Sequence, residues 1–225
     1  MSGGRPALIT GGAGFIGTNL ADRLLRDGRD VILYDNLSRA GVAGNASGLL
    51  ERYGRHRVRL QVGDIRDERR LALAVADAGE VYHFAAQVAV TSSLDRPKED
   101  FEVNAVGTLT LLELLRQRRE PPPLLFTSTN KVYGELDGLA LRREGRRYVP
   151  EDEDVQRFGV SEGRQLAFHS PYGCSKGAAD QYVLDYARTF GLPATVFRMS
   201  CIYGPHQFGT EDQGWVAHFL SLIHI

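Results

Sequence analysis

Only two cysteines, Cys174 and Cys201, occur among the 225 residues of the chain. Two are too few for a disulfide framework or a cysteine-based zinc site. We therefore expect no metal, a reduced compartment, and two small packing side chains at these positions. No apolar run approaches the ~18 residues that a membrane span requires, and no basic region followed by a long apolar run opens the chain. The sequence thus predicts a soluble, cytoplasmic protein with no membrane partner.

An excess of charge of one sign is also lacking. The 27 Lys and Arg residues oppose 28 Asp and Glu residues, which gives a formal net charge of −1, and no basic stripe is present. Nucleic-acid binding needs such a basic surface, so we expect no nucleic-acid partner. With 43% hydrophobic residues and no low-complexity tract, the composition is that of a globular chain with a sizeable core.

Short apolar runs bounded by turn residues alternate with longer amphipathic stretches along the chain. The runs predict six strands, over 7–10, 31–34, 58–62, 81–84, 124–127 and 194–198. The amphipathic stretches predict helices over 15–26, 69–76, 101–118 and 172–190, and a last helix within 213–225. Because strands that alternate with helices form parallel sheets covered on both faces, we predict an α/β fold with a doubly wound parallel sheet of the Rossmann type.

The periodicity breaks down between residues 133 and 168, where a basic cluster at 142–147 precedes an acidic cluster at 151–154. One interpretation is a solvated surface excursion whose opposite charges partly neutralise each other. The other is a lid beside a ligand pocket, since long loops in compact domains are often functional. Both interpretations stay open at this point.

A glycine-rich turn joins the first predicted strand to the first helix, and its glycines Gly11, Gly14 and Gly17 have G-x-x-G-x-x-G spacing. Glycines let the chain turn tightly and let the backbone approach a pyrophosphate, while the helix N-terminus supplies free N–H groups. Asp35 follows the second strand, 18 residues after Gly17, where its carboxylate can accept hydrogen bonds from ribose hydroxyls. That carboxylate would repel a 2′-phosphate, which favours NAD over NADP, although the nearby Arg39 weakens the preference.

The next two strands also end in residues that suit a dinucleotide. Asp64-Ile65 follows the third strand and can hold an adenine edge, and Ala85-Ala86-Gln87 follows the fourth with small residues where a cofactor would cross the sheet. Each motif alone could be a loop cap or a packing residue. Their occurrence at consecutive strand ends is what predicts a cofactor site.

Tyr172 and Lys176 are four residues apart in a helical stretch and therefore project from one face. An ammonium and a positively charged nicotinamide would lower the pKa of the Tyr172 phenol, which could then exchange the proton of a sugar hydroxyl while hydride moves. Thr129, at the end of the fifth strand, could orient the same oxygen. Without Thr129, the spacing of Tyr172 and Lys176 would indicate only a Tyr and a Lys on the surface of one helix.

These motifs resemble those of the extended short-chain dehydrogenases/reductases that act on nucleotide sugars, and the resemblance runs to about residue 217. It rests on residues 10–17, 35–36, 128–134, 171–176 and 203–205. Within that family, residues 128–134, 168–182 and 212–216 are similar to the CDP-paratose 2-epimerase subgroup.

The resemblance implies a tightly held NAD and a nucleotide-sugar substrate that is oxidised to a keto-sugar and then reduced from its other face at C2. The catalytic residues would be Thr129, Tyr172 and Lys176. The implied cofactor-binding residues are Gly11, Gly14, Phe15, Ile16, Gly17, Asp35, Asn36, Asp64, Ile65, Ala85, Ala86, Gln87, Asn104, Tyr172 and Lys176. The candidate substrate-binding residues are Thr129, Asn130, Arg198 and Tyr203, the last two with alternative roles in strand-end packing and turn formation.

The resemblance further implies a NAD-binding domain over residues 1–200 that carries the catalytic residues, and the start of an incomplete C-terminal substrate lobe over 201–225. The apolar helix within 213–225 lacks a cap or closing turn, which suggests a fragment. Relatives pair through two long helices that correspond to 101–118 and 172–190, so a homo-oligomer is expected at full length.

Three alternatives stay open. Related 4,6-dehydratases carry an acidic residue or pair directly after the catalytic Thr or Ser, whereas this chain has Asn130 and Lys131, which disfavours dehydration but leaves Lys131 as a residual acid. A UDP-sugar 4-epimerase is the second alternative, and a NAD-binding fragment without turnover is the third. Cys201 replaces an Asn that contacts the diphosphate in many relatives, which leaves that contact open.

Overall fold

The computed structural model of the protein describes residues 4–223. Within that range the strands are β1 (Ala7–Thr10), β2 (Val31–Asp35), β3 (Val58–Val62), β4 (Glu80–His83), β5 (Leu124–Thr129), β6 (Leu141–Glu144), β7 (Arg147–Pro150) and β8 (Ala194–Met199). The α-helices are α1 (Phe15–Arg26), α2 (Val42–Tyr53), α3 (Glu68–Asp77), α4 (Val90–Asp95), α5 (Pro97–Phe101), α6 (Gly107–Arg116), α7 (Glu153–Phe158), α8 (Ser170–Phe190) and α9 (Trp215–Ile223). A π-helical turn (Glu102–Val106) joins α5 to α6, and a 3₁₀ turn (Asn130–Tyr133) follows β5.

Six of these strands form one sheet in the order β3-β2-β1-β4-β5-β8, and every neighbouring pair is parallel. The chain moves outward from β1 to β3 on one side, then returns to the other side of β1 for β4. The strand order therefore reverses between β1 and β4, which is where open α/β sheets bind ligands at their carboxyl ends. The predicted doubly wound parallel sheet is confirmed.

The core lies on both faces of the sheet, as the alternation of side chains along β1 shows. Leu8 packs into one apolar cluster with α3, α6 and α8, while its neighbours Ala7 and Ile9 pack into the other with α1 and α2. Successive strand side chains point to opposite faces. A central parallel strand is thus buried on both faces, which explains why the strands occur in the sequence as short, mainly apolar runs.

The helices differ from the prediction at three places. The helix predicted over 101–118 begins at Pro97 and contains the π turn, which has the buried Asn104 at its centre. The helix α2 was not predicted because Gly44 and Gly48 weaken its apolar periodicity. The last predicted helix covers Trp215–Ile223, and residues 224 and 225 lie outside the described range.

The excursion over residues 133–168 contains an antiparallel hairpin of β6 and β7, followed by the short α7. Its basic residues lie on the exposed hairpin, whereas the acidic cluster begins α7, where the Asp152 carboxylate accepts hydrogen bonds from the N–H groups of Asp154 and Val155. Anions stabilise a helix N-terminus, so the acidic cluster has a local structural role.

The expectation that the two cysteines are packing residues is wrong, because both are exposed. Cys174 lies on the exposed face of α8, whereas Ser175 and Lys176, which follow it, lie on the buried face. Cys201 follows the end of β8, in an irregular segment. Among the helices of residues 4–223, none combines the length and the apolar character needed to cross a bilayer.

A buried ion pair fastens the sheet edge to α8. Arg198 on β8 donates from Nε and Nη2 to the two carboxylate oxygens of Asp180, at 2.9 Å each, and from Nη1 to the Tyr133 hydroxyl at 2.8 Å. Asp180 has no exposed surface. Burial acts to raise the pKa of this carboxyl, but the charge and hydrogen bonds of Arg198, together with hydrogen bonds from Ser128 and Gln181, hold the pKa below its usual range.

We expect Asp180→Asn to lower the free energy of unfolding by about 3–5 kcal/mol, because it leaves the Arg198 cation buried without a counter-charge. The matched control is Asp185→Asn, at an exposed position of the same helix, which should change stability by less than about 0.5 kcal/mol. Urea unfolding followed by circular dichroism measures both. Equal losses in the two variants would contradict the role assigned to the pair.

Candidate active site

The glycine-rich turn after β1 forms a cradle that has no room for side chains. Gly11 has φ +67° and donates its N–H to the Tyr34 carbonyl at 2.8 Å. A Cβ at Gly11 would lie 2.8 Å from the Ala85 nitrogen, and one at Gly17 would overlap the Gly11 carbonyl. No side chain caps α1, and its first turn has no acidic residue. Uncapped N–H groups beside a bare backbone surface fit a pyrophosphate.

Asp35 braces this turn from the end of β2. Its Oδ2 accepts the N–H of Ala13 at 3.0 Å and its Oδ1 accepts the N–H of Leu37 at 2.8 Å. The neighbouring Asn36 donates to the Asp64 carboxylate at 3.2 Å, which links the ends of β2 and β3. Carboxylate oxygens accept more than one hydrogen bond, so Asp35 keeps acceptor capacity for a ribose.

The Asp64 carboxylate is held by Arg66, whose hydrogen bonds from Nε and Nη2, at 2.8 Å each, keep the pKa of Asp64 far below its usual range. Ile65 is buried in the core, where a Cβ added at Gly107 would meet its Cγ2 at 2.7 Å. Of this predicted pair, Asp64 is thus half-buried and held by Arg66, and Ile65 packs in the core.

The loop after β4 is clamped by Asn104 from the π turn. Its Oδ1 accepts the Gln87 N–H at 2.9 Å and its Nδ2 donates to the Gln87 carbonyl at 3.1 Å. Ala85 and Ala86 precede this clamp, and the Ala85 N–H donates to the Thr10 hydroxyl at 3.3 Å. Asn104 therefore positions the backbone on which a cofactor would rest.

A buried hydrogen-bond chain that sequence reasoning missed lies beneath this loop. The Thr108 hydroxyl donates to the Asn104 carbonyl, so it must accept from His83 Nε2 at 2.9 Å. His83 Nδ1 is then left to accept from the Thr10 hydroxyl at 2.6 Å. Complete burial and the nearby Lys176 lower the pKa of His83 to about 3, so this histidine is neutral. Only the tertiary fold shows its partners.

Thr129, Tyr172 and Lys176 meet where β5 ends against α8. Thr129 is buried and its hydroxyl accepts the Lys131 N–H at 3.2 Å. The Tyr172 backbone N–H donates to the buried Ser93 hydroxyl at 3.2 Å, which fixes the first turn of α8. Lys176 is buried, donates from Nζ to the Thr127 carbonyl at 2.7 Å, and lies 4.2 Å from the centroid of the Phe126 ring. The three predicted residues are thus brought together.

Burial raises the pKa of the Tyr172 phenol, with a smaller upward contribution from Asp100, while a hydrogen bond with Thr129 lowers it. The expectation that the Lys176 ammonium lowers this pKa is not borne out in the chain alone, because the ammonium is directed at the Thr127 carbonyl. Burial lowers the pKa of Lys176 itself to about 7, against the opposing charges of Asp180 and Asp100.

The remaining substrate candidates have different surroundings. Asn130 is exposed, one residue after Thr129. Arg198 is engaged by Asp180 and Tyr133, which matches the strand-end packing that the sequence left as its alternative role. Tyr203 is 70% exposed, in a segment whose next residues are tied down: Asn19 and Asn45 donate to the carbonyls of Pro205 and His206.

A doubly wound sheet with a bare glycine turn after β1 and a Thr/Tyr/Lys set after β5 defines the class of the extended short-chain dehydrogenases/reductases. A family model agrees: residues 7–225 match the NAD dependent epimerase/dehydratase family. The chain belongs to that family.

Three relatives illustrate the range of similarity. The chain is 48% identical to a CDP-paratose 2-epimerase of Salmonella typhi over 94% of its own length and 62% of that protein. It is 35% identical to a dTDP-glucose 4,6-dehydratase of Mycobacterium tuberculosis over 89% of this chain and 54% of that one. A Thermus thermophilus UDP-glucose 4-epimerase, solved with NAD, superposes with TM-score 0.74 at 34% identity, over 94% of this chain and 60% of that chain. The chain therefore spans less than two thirds of these relatives.

We expect Gly17→Ala to lower the free energy of unfolding by about 1–3 kcal/mol, because the new Cβ overlaps rigid backbone. The matched control is Gly44→Ala in α2, where nothing lies within 4 Å of the added Cβ. That change should raise stability by about 0.5–1 kcal/mol through helix propensity. Thermal unfolding of the two variants measures both effects, and destabilisation of equal size would show that the turn is not tightly packed.

Proposed function

We propose that the protein is a NAD-dependent nucleotide-sugar epimerase acting at C2 of a CDP-linked dideoxyhexose, as a CDP-paratose 2-epimerase does. The observation that carries the proposal is 48% identity to such an enzyme over 94% of the chain, in a fold that brings Thr129, Tyr172 and Lys176 together. The whole activity belongs to a protein whose relatives are longer than this chain.

The residues around the sheet edge suit NAD. The bare turn at Gly11, Gly14 and Gly17, with the first turn of α1 at Phe15 and Ile16, would receive the pyrophosphate. Asp35 and Asn36 would face the adenosine ribose, and Asp64, Ile65 and the loop of Ala85, Ala86 and Gln87 would border the cofactor. Asn104 supports that loop. When bound, NAD would supply the hydride acceptor and donor.

Tyr172 would take the proton of the C2 hydroxyl as the C2–H bond breaks, which leaves a ketone at C2. Thr129 would hydrogen-bond the same oxygen, since its hydroxyl lies close enough to Tyr172 to lower the pKa of the phenol. Lys176 would hold the nicotinamide ribose. After the ketone has presented its other face, Tyr172 would return the proton to the oxygen as the C2–H bond forms again with inverted configuration.

The residues after Thr129 support epimerisation over dehydration. Elimination of water requires an acid that protonates the leaving hydroxyl, and the positions that follow Thr129 are Asn130, whose amide cannot do so, and Lys131. The dehydratase relative is therefore a weaker guide to the reaction than its 35% identity suggests.

The second candidate is a UDP-sugar 4-epimerase, favoured by the Thermus structure with its TM-score of 0.74. Oxidation at C4 would use the same three residues, so the choice between C2 and C4 depends on how the sugar is held. Asn130 and Tyr203, both exposed, are the substrate contacts that we propose, with Arg198 holding the strand end beside them. A NAD-binding unit without turnover is the third candidate.

We further propose the domain division stated from the sequence, with the cofactor domain over residues 1–200 and the start of a substrate lobe over 201–225. A homo-oligomer would use the long helices. Exposed apolar side chains on α5, the π turn and α8 support this, among them Phe101, Val106, Tyr182 and Phe190. A cytoplasmic location fits an enzyme of nucleotide-sugar metabolism.

We expect Tyr172→Phe to lower the turnover rate by at least about 10²-fold while NAD binding is retained, because only the proton acceptor is lost. Tyr148→Phe, at a 71% exposed position on β7 and outside the proposed oligomer surface, is the matched control and should keep full activity. Steady-state rates measure the loss of turnover. Quenching of the intrinsic protein fluorescence as NAD is added measures cofactor binding. Full activity of Tyr172→Phe would refute the mechanism.

Incubation of the protein with CDP-paratose and with UDP-glucose, read by proton NMR, separates the candidates. We expect inversion at C2 of the first sugar, without deuterium at C2 when the solvent is D₂O, because the hydride that leaves the carbon returns to it. Turnover of UDP-glucose alone would favour the 4-epimerase. NAD binding without turnover of either sugar would favour the binding unit.

A further inference from the structure

Asp100 is a buried carboxylate to which the mechanism above gives no role. It lies in α5 and is only 1% exposed. The hydroxyl of Ser175 contacts its Oδ2, and the amide of Asn104 donates to its Oδ1 at 3.3 Å. Both partners are neutral, and burying a carboxylate costs free energy unless a counter-charge is near.

A counter-charge is available on Lys176, the residue that follows Ser175 on α8, and Ser175 contacts the Asp100 carboxylate. Two carboxylates favour the charged form of Lys176, Asp180 with the larger effect and Asp100 with the smaller. Lys176 is also buried, and its hydrogen-bond acceptor is the neutral Thr127 carbonyl. Each of these two opposite charges is therefore enclosed in the protein with only neutral groups in direct contact.

The other titratable groups that face Lys176 do not neutralise it. Asp180, on the same helix, is already paired through both oxygens with Arg198 of β8. His83 on β4 is neutral, and Tyr172 on α8 carries a phenol whose pKa is raised. Asp180 thus has a cation of its own, whereas Asp100, within residues 4–223, bonds only neutral side chains. Asp100 is therefore the buried carboxylate that is left to balance Lys176.

We propose that Asp100 is the counter-ion of Lys176 and a positioning residue of the site, which keeps this lysine charged and directed at the end of β5. Ser175 and Asn104 hold the carboxylate in place, and Asn104 also holds Gln87. One buried network thus fixes both the charge of Lys176 and the backbone loop beside it. Its consequence for catalysis rests on the function proposed above, whereas the charge pairing does not.

The chain has only three lysines, Lys98, Lys131 and Lys176, so the charge state of Lys176 can be observed directly. Protein that carries [ε-¹³C]lysine should give three resonances, which Lys98→Arg and Lys131→Arg assign. Lys98 and Lys131 are exposed and serve as internal references. We expect Asp100→Asn to lower the titration midpoint of Lys176 by at least about one pH unit, because an opposite charge nearby favours the protonated form.

Asp95→Asn, the same chemical change at an exposed position one helix earlier, is the matched control and should leave that midpoint unchanged. An unchanged Lys176 midpoint in Asp100→Asn would overturn the proposal. If Asp100 only maintained the fold, Asp100→Asn would leave the titration midpoint of Lys176 unchanged wherever the variant still folds, because asparagine preserves the shape of the side chain.

The double variant Asp100→Asn/Lys176→Met covers the case in which Asp100→Asn does not fold. If the two charges balance each other, removing both should restore at least part of the stability that Asp100→Asn loses, as measured by the unfolding midpoint. Failure of the double variant to recover any stability would overturn the proposal. Neither measurement uses turnover, so a failed epimerase assay would leave this result intact, and a failed NMR titration would leave the epimerase proposal intact.

Discussion

Burial of one ammonium group, that of Lys176, is the constraint around which the site is organised. A buried cation is expensive unless several groups compensate for it. Here the Thr127 carbonyl accepts its hydrogen bond, the centroid of the Phe126 ring lies 4.2 Å away, and the carboxylates of Asp180 and Asp100 favour its charged form. These groups come from different elements. Burial of Lys176 therefore helps to fix how α8 docks against the end of β5, where Tyr172 lies beside Thr129.

Close packing of the backbone is the constraint on the other half of the site. The turn after β1 tolerates no Cβ at Gly11 or Gly17, and its return to α1 is braced by Asp35. Because the strand order reverses between β1 and β4, this turn and the Gln87 loop border one crevice. The π turn matters here, since a regular α-helix would rotate Asn104 away from the loop that it clamps from both sides.

Features that depend on local periodicity were predictable from the sequence, and features that depend on tertiary contacts were not. The six strands, the glycine turn and the four-residue spacing of Tyr172 and Lys176 are local, and the fold contains them nearly as predicted. The π turn is not set by local periodicity, because it depends on the hydrogen bonds between Asn104 and the Gln87 loop. The roles of Asp100 and His83 were equally hidden, since a buried acid and a surface acid have the same letter in the sequence. Arg198 is a further case, because its partner Asp180 is 18 residues away and belongs to no motif that includes Arg198.

The electrostatics of the site also disfavour an ionised Tyr172 in the chain by itself. Burial and the Asp100 carboxylate both disfavour its phenolate, while the Thr129 hydroxyl is the one contact that favours it. Asp100 therefore acts in opposite senses on its two neighbours, since it stabilises the charge of Lys176 and opposes the charge of Tyr172. Further positive charge in the crevice, such as that of the nicotinamide in the proposed function, would lower the pKa of this phenol. Proton transfer would then depend on occupancy of the site, because the protein orients the groups and the cofactor would supply the positive charge.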